Sequence, residues 1–510
     1  MGVAIDQYVK GFGPRVKQRV VDALAQRFDA DVELRSLEVS LYPRPNVAGD
    51  GLTIRHKQWP DEHPLISIRR FRAETDFSTL IDRRNHIDLV RLEGLEVRVP
   101  PRGHAAEHDI EQDNMQVASA EPGHDTTRLK FYIETMVADG ASLEIEPKVP
   151  RKTPLRYDIE KLTLRSIGQG QPMAFQAKLT NAKPPGFIDT SGTFGPWQRD
   201  DPRATPVSGK YRFEHADLGV FKGISGILAS TGTYRGVLQH IEVDGSTDTP
   251  KFALKRGGQP VRLVTTFHSI VNGTDGDTLL EPVDARFLHT RFVCKGGVVH
   301  VDGTPGKTVT LDTFTKEARM EDILRLVTGD SRPLLKGDVD FRTKIAIPQG
   351  QQDVLDKLDL DGQFRVLSAV FTSENVKQRL RTLSARARGI SKQEEEREPV
   401  QDVASNFFGR FRLDNGTVSF SSLSFDVPGA QIQLAGTYNL RSEAMDMNGI
   451  FRMQATLSQT QSGVKHWVLK PLDRFFEKNG AGFQIPIKLS GTRDHPEIGA
   501  SVFHHAFTIH

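Results

Sequence analysis

Residues 411–457 read FRLDNGTVSFSSLSFDVPGAQIQLAGTYNLRSEAMDMNGIFRMQATL. Apolar and polar residues alternate on both sides of Asn415-Gly416, a dipeptide that favours the tight turn of a β-hairpin. Further along, Met445, Met447 and Phe451 stay in phase, so one side of that strand is apolar and the other is polar. The stretch therefore predicts neighbouring antiparallel strands that share one apolar face.

The composition excludes several classes of protein. The 67 Lys and Arg balance 65 Asp and Glu, which leaves a net charge of +2 and no field of one sign to attract nucleic acid. Cys294 is the single cysteine, which excludes an internal disulfide and a multi-cysteine metal site, and we expect it to be buried. No run of about 18 apolar residues is present, and residues 1–4 lack the features of a signal peptide.

Hydrophobic periodicity divides the chain into six predicted segments. These are an N-terminal amphipathic helix (1–30), a β-unit (31–100), a polar loop (101–128), middle β-repeats (129–310), β-structure with helical insertions (311–410) and a C-terminal β-region (411–510). Helical spacing also predicts helices around 320–327, 376–387 and 464–476. We expect the first helix to pack on the first sheet, with a membrane-interface helix as the alternative.

One short pattern occurs twice and predicts an internal repeat of one β-unit. Gly245, Asp248 and Pro250 have the same spacing as Gly491, Asp494 and Pro496, and alternating apolar residues flank both sets. A phosphate-binding loop is the weaker alternative, because no Lys-Ser or Lys-Thr follows and no helix begins there.

No recognised catalytic or metal-binding motif is present. His104, His108 and His124 lack the spacing of zinc ligands. A predicted strand at 354–364 is flanked by Asp353, Asp356, Asp359 and Asp361, but the glycine and terminal glutamate of a calcium loop are missing. We therefore expect no enzyme, no catalytic residue, no bound metal and no cofactor.

Two sets of short motifs lie at the two ends of the chain. At the C-terminal end, Gly491-Thr492, Pro496 and Ile498 follow long one-faced strands. At the N-terminal end, the motifs are Leu41-Tyr42-Pro43, Gly51-Leu52 and Leu92-Glu93-Gly94-Leu95. In these motifs and in their order, both ends of the chain resemble bacterial AsmA-like proteins.

This resemblance implies a mainly β protein with an elongated, twisted sheet that is curled into a groove or taco shape and built of repeated β-units. The apolar lining would bind acyl chains of phospholipid and support lipid transport between the inner and outer membranes, without catalysis. The candidate lining residues are Ile432, Leu434, Met445, Met447, Phe451, Met453, Ile485 and Ile487.

The resemblance also implies a periplasmic protein tethered to the inner membrane, although the family's N-terminal anchor is missing from this sequence. We expect a hydrophobic helix to be encoded upstream of Ile5. An alternative function is an envelope assembly or scaffold factor that binds proteins through its sheet edges. A glycan-binding protein is disfavoured, because Trp59, Trp197 and Trp467 do not form an aromatic platform.

Overall fold

A computed structural model gives the fold of the chain. It describes residues 14–508 except for 23, 26–29, 57–62, 77–85, 100–131, 146–154, 169–170, 197, 199–200, 256–257, 302–305, 329–332, 334, 351, 373, 375–376, 379–404, 428, 454–482, 493–494 and 503–504. Several predictions lie outside the described residues: the helix at 376–387 except for residues 377 and 378, which are helical, the helix at 464–476, the polar loop with its three histidines, and the three tryptophans.

The chain is mainly β, as the alternating sequence predicts. The strands are β1 (Ala30–Ser40), β2 (Asn46–His56), β3 (Ile66–Glu74), β4 (His86–Val99), β5 (Tyr132–Ile145), β6 (Leu155–Ile167), β7 (Met173–Ala182), β8 (Pro185–Phe194), β9 (Pro206–Asp217), β10 (Ile224–Ser225), β11 (Ile227–Val237), β12 (His240–Leu254), β13 (Val261–Val271), β14 (Thr278–Phe287), β15 (Thr290–His300), β16 (Lys307–Glu317), β17 (Leu335–Lys336), β18 (Val339–Ile347), β19 (Asp359–Phe371), β20 (Ser405–Asp414), β21 (Thr417–Val427), β22 (Ala430–Asn439), β23 (Ala444–Met453), β24 (Phe483–Thr492), β25 (Pro496–Val502) and β26 (His505–Thr508). The helices are α1 (residues 14–22), α2 (Met320–Val327) and α3 (Val354–Lys357), with short 3-10 turns at Pro202–Ala204 and Leu218–Val220.

The chain divides into two compact units. Unit 1 comprises residues 1–217, 229–243 and 272–275, and unit 2 comprises 218–228, 244–271 and 276–510. In unit 1, β1 to β9 pair in chain order, antiparallel except for the parallel pair β4–β5. Its core contains Leu34, Leu52, Ile68, Val90, Leu92, Ala138 and Ala141. Val20, Val21 and Leu24 pack against this core, which confirms the prediction that the first helix covers the first sheet.

In unit 2, antiparallel pairing links β13 to β16 in order, passes from β16 to β18, and continues from β18 to β26. The turn between β20 and β21 is the predicted one, because Asn415 and Gly416 have φ values of 48° and 71°. Positive φ at both central residues is the requirement of a type I′ hairpin turn. The C-terminal strands therefore extend the sheet that contains β19.

Helix α2 is held in unit 2 through a buried carboxylate. Asp322 is 4% exposed and accepts hydrogen bonds from the His289 backbone N–H at 2.8 Å and from Thr290 Oγ1 at 3.1 Å. The hydroxyl of Thr290 in turn accepts the Arg319 N–H at 3.1 Å. A buried carboxylate needs such donors, so this network fixes the helix against the turn between β14 and β15.

Two local predictions are wrong. Residues 354–357 form a helical turn instead of a strand, because the Asp353 carbonyl accepts the N–H groups of Asp356 at 3.1 Å and Lys357 at 3.3 Å. The two halves of the predicted repeat also differ. Gly245 lies inside β12, whereas Gly491 lies near the end of β24 with φ of 92°, five residues before Pro496 begins β25.

Candidate functional site

The side chains on one side of β18–β24 form the inner face of unit 2. Cross-strand pairs align them in rows, because residues opposite one another in antiparallel strands point to the same side of the sheet. One row contains Val339, Val366, Phe407, Phe425, Ile432 and Phe451. The next contains Phe341, Phe364, Gly409, Leu423, Leu434, Gly449 and Ile487, and a third contains Gly362, Phe411, Phe420, Gly436, Met447 and Leu489.

Aromatic rings form the middle of the inner face. Phe407 stacks on Phe425 with ring centroids 5.4 Å apart and on Phe364 at 5.8 Å. Phe371 meets Phe407 and Phe425 edge-on, at 6.3 and 6.1 Å. All four rings are partly buried, so each keeps some exposed apolar surface.

Two glycines make room for this packing. A Cβ at Gly409 would lie 2.5 Å from Phe364 Cε1, and a Cβ at Gly449 would lie 2.8 Å from Leu434 Cδ2. Both distances are shorter than van der Waals contact, so the neighbouring side chains occupy the space that a larger residue would need. The inner face is therefore packed along its rows as well as across them.

The predicted lining residues do not share one environment. Ile432, Leu434, Met447 and Phe451 are buried, with exposures of 4% to 8%, and belong to a core cluster with Leu423, Val427 and Ala430. Met445 and Ile487 are partly buried. The side chains of Met453 and Ile485 lie outside the described residues, although their backbones pair with Ala430 and Phe451. The first four are core residues, and a partly open apolar surface lies beside them.

That open surface comes from residues that the groove prediction did not include. Phe364, Phe371, Phe407, Phe420, Phe425, Tyr438 and Leu489 are partly buried and pack against the core cluster. The sequence signal for one of them was available: Phe407 is in phase with Gly409, Phe411 and Leu413, two residues apart at each step. Its pairing with β21 was not available from the sequence.

The opposite face of these strands is polar. Arg410, Arg412, Asn448 and Arg452 are exposed, and Lys488 Nζ lies 3.3 Å from Asp446 Oδ1. Phe451 is buried while its neighbour Arg452 is exposed, so the structure has the predicted register. Ile450 is an exception, because it is 38% exposed on this polar side.

A separate cavity of about 410 Å³ lies at the turns of unit 2. It is lined by Leu254, Val327, Gln352, Asp356, Asn415, Gly416, Asn439, Leu440 and Arg441. Arg441 Nη2 is 2.7 Å from Asp356 Oδ1, so one of the four aspartates of the rejected calcium-loop interpretation is paired with a guanidinium. Its mixed polar and apolar lining and its ion pair contrast with the inner face.

The shifted pKa values reflect ion pairing and burial. Hydrogen bonds from Arg262 lower the pKa of Asp248, and hydrogen bonds from Arg291 and Lys316 lower the pKa of Asp284. Cys294 is 7% exposed, which confirms the prediction that it is buried. Burial raises the pKa of its thiol. A buried thiol with a raised pKa is a poor nucleophile.

No protein-family model, curated protein or solved structure matches this chain. Among the described residues, no helix has both the length and the apolar character needed to cross a membrane.

Proposed function

We propose that the inner face of unit 2 binds the acyl chains of phospholipid. The observation that carries this proposal is the continuous row arrangement, in which partly buried aromatic side chains lie beside a fully buried core while the other side of the sheet is charged. No described helical residue packs against the cluster that contains Ile432 and Phe451. Exposed apolar surface of this kind is typical of a binding surface.

An acyl chain suits this surface for two reasons. It is apolar along its whole length, so it can follow a row across several strands, and each buried methylene contributes about 0.8 kcal/mol. Aromatic rings and the flexible thioethers of Met445 and Met447 also adapt to chains of different length and unsaturation.

The biological role follows from the resemblance to AsmA-like proteins, which we propose as the family. In this role the sheet is curled into a groove, and the protein conducts phospholipid between the inner and outer membranes of a bacterial envelope. It acts in the periplasm at the inner membrane, without catalysis. The exposed, charged outer side of β20 and β23 suits contact with water.

Lipid extraction from the purified protein tests the proposal. We expect mass spectrometry to detect phospholipid with the wild-type chain, and severalfold less with Phe425→Gln, which places a polar group on the inner face. Ile450→Gln is the matched control, because it makes a similar change on the polar side of β23 and should leave the lipid content unchanged.

Two results would contradict the proposal. One is that the wild-type protein, purified from a lysate that contains membranes, carries no phospholipid. The other is equal lipid content in both variants, which would favour the assembly or scaffold function.

A further inference from the structure

A cluster of three metal-binding side chain types lies at the start of the parallel strand pair in unit 1. His86 is the first residue of β4, and Asp88 lies two residues later on the same side of the strand. In β5, the pairs Ile87 with Ile133 and Leu89 with Thr135 place Glu134 beside Asp88. In the sequence, His86 and Asp88 show a His-x-Asp spacing, but Glu134 is 48 residues from His86 and shares no local pattern with it.

The three ligand atoms are close enough for one ion. His86 Nε2 lies 3.2 Å from Asp88 Oδ1 and 3.7 Å from Glu134 Oε2, and all three atoms lie within 4.8 Å of one another. Ligands at about 2.0–2.2 Å from a tetrahedral zinc ion lie about 3.3–3.5 Å from each other. The His86–Asp88 separation of 3.2 Å lies just below that range, and the His86–Glu134 separation of 3.7 Å lies just above it.

Neighbouring groups orient the two inner ligands. The Asp76 backbone N–H donates to Asp88 Oδ2 at 2.7 Å, which leaves Oδ1 directed to His86. The His86 ring lies against Tyr132, with centroids 4.8 Å apart, and its side chain is only 11% exposed. Such outer contacts fix the ligands of metal sites. Glu134 is 62% exposed, so the open side faces water.

We propose that His86, Asp88 and Glu134 bind a divalent cation of the zinc class, with water in the remaining position. An ordinary ion pair is the competing explanation, and the chain contains examples of it. His268 Nδ1 lies 2.9 Å from Asp244 Oδ1, and His289 Nδ1 lies 3.6 Å from Asp322 Oδ2. Within the described residues, the cluster at His86 is the one group of three such side chains that meets at a point.

The ion would connect two strands that are distant in the chain. β4 and β5 are parallel, so His86 and Tyr132 pair at the starting ends of strands that residues 100–131 separate in the chain. A cation bound by His86 and Glu134 joins the first residues of both strands. It stabilises unit 1 because it binds the folded arrangement and not the unfolded chain.

Cobalt(II) is a suitable probe, since its visible absorption reports a site with a nitrogen and oxygen ligand set. Wild-type protein should bind one more equivalent of cobalt(II) than His86→Ala does. Glu134→Gln should weaken the affinity for that equivalent by tenfold or more. His268→Ala is the control variant, because its histidine pairs with one carboxylate only, and it should bind as the wild type does. Zinc should raise the thermal unfolding midpoint of the wild type and of His268→Ala only.

Equal stoichiometry and affinity in the wild type and both cluster variants would overturn the proposal and leave His86 as an ion-pair partner. Glu134 is exposed, so its variant should fold, and circular dichroism checks this for each protein. Lipid content is measured in the same samples. It tests the inner face of unit 2 independently of metal binding in unit 1.

Discussion

Both units contain a sheet with one apolar face, but different side chains pack on that face in each unit. In unit 1, the buried core of the first strands is aliphatic, and Val20, Val21 and Leu24 from the N-terminal helical region pack against it together with Phe71 of β3. In unit 2, the inner face carries Met447 and Phe451 in its core, and partly buried aromatic rings surround them. The strand pattern alone therefore does not decide which side chains cover an apolar face.

Helix α2 shows an intermediate case within unit 2. Met320 belongs to a core cluster with Val339 and Val366, and Ile323 and Leu324 pack against that cluster. The helix thus covers the β18–β19 end of the inner face. Phe364, Phe371 and Phe407 pack against both this cluster and the one that contains Ile432 and Phe451, and the part that we assign to lipid lies on the side of Phe425.

The largest effect should come from a charge in the core of unit 2. Phe451→Asp removes a ring that is 4% exposed, and loss of a buried phenylalanine costs about 3–5 kcal/mol before the cost of burying a carboxylate. We expect thermal denaturation to show loss of the cooperative transition of this unit. Arg452→Asp, one residue away on the exposed side, should unfold close to the wild-type temperature; equal loss in both variants would show that the register is wrong.

Removal of the carboxylate that holds α2 should have the next largest effect. Asp322→Ala leaves the donors of His289 and Thr290 without their acceptor in a buried site, which costs about 3 kcal/mol. Urea denaturation measures this loss. Asp244→Ala removes a carboxylate that is 60% exposed and should change the free energy of unfolding by less than about 1 kcal/mol.

A charge placed between the helix and the sheet of unit 1 tests whether lipid binding depends on unit 2 alone. Val21→Asp should destabilise unit 1 by about 1–2 kcal/mol, because it removes part of an apolar contact and places a charge against the sheet. Lipid content should stay unchanged, since the proposed ligand lies on unit 2. Arg19→Asp is the exposed control on the same helix, and lipid loss in Val21→Asp alone would place ligand on unit 1.

The smallest effect on stability should come from a surface ion pair, and it should depend on pH. The pKa of Asp284 is lowered in the folded protein, so its stabilisation is present above its unfolded pKa and is lost as the pH falls through the folded value. Asp284→Asn should therefore reduce stability by less than about 1 kcal/mol at neutral pH. The difference from the wild type should disappear in strong acid; a difference that grows there would contradict this sign.

Local sequence signals predicted the fold well where one short pattern determines the structure. Asn415-Gly416 formed its turn, α2 formed at its predicted residues, and Phe451 and Arg452 point to opposite sides. The predicted repeat was wrong because Gly245 and Gly491 share spacing but not backbone context, one inside a strand and one near a turn. Residues 354–357 were ambiguous, because a short apolar run does not distinguish a helix from a strand.

The site was harder to predict than the fold. The stack of Phe407 on Phe425 depends on which strands pair and in which register, and local sequence patterns do not specify that pairing. The cluster of His86, Asp88 and Glu134 was missed for the same reason, since it forms across a parallel pair whose strands are separated by a long connection.

Photocrosslinking with a phospholipid that carries a diazirine in its acyl chain tests the central claim most directly. After illumination and proteolysis, mass spectrometry identifies the modified peptides of the wild-type chain. The account predicts crosslinks on the inner-face side chains of β20 to β22, including Phe407, Phe425 and Tyr438, and none on Arg410, Arg412 or Arg452. Crosslinks confined to unit 1, or spread equally over both sides of these strands, would contradict it.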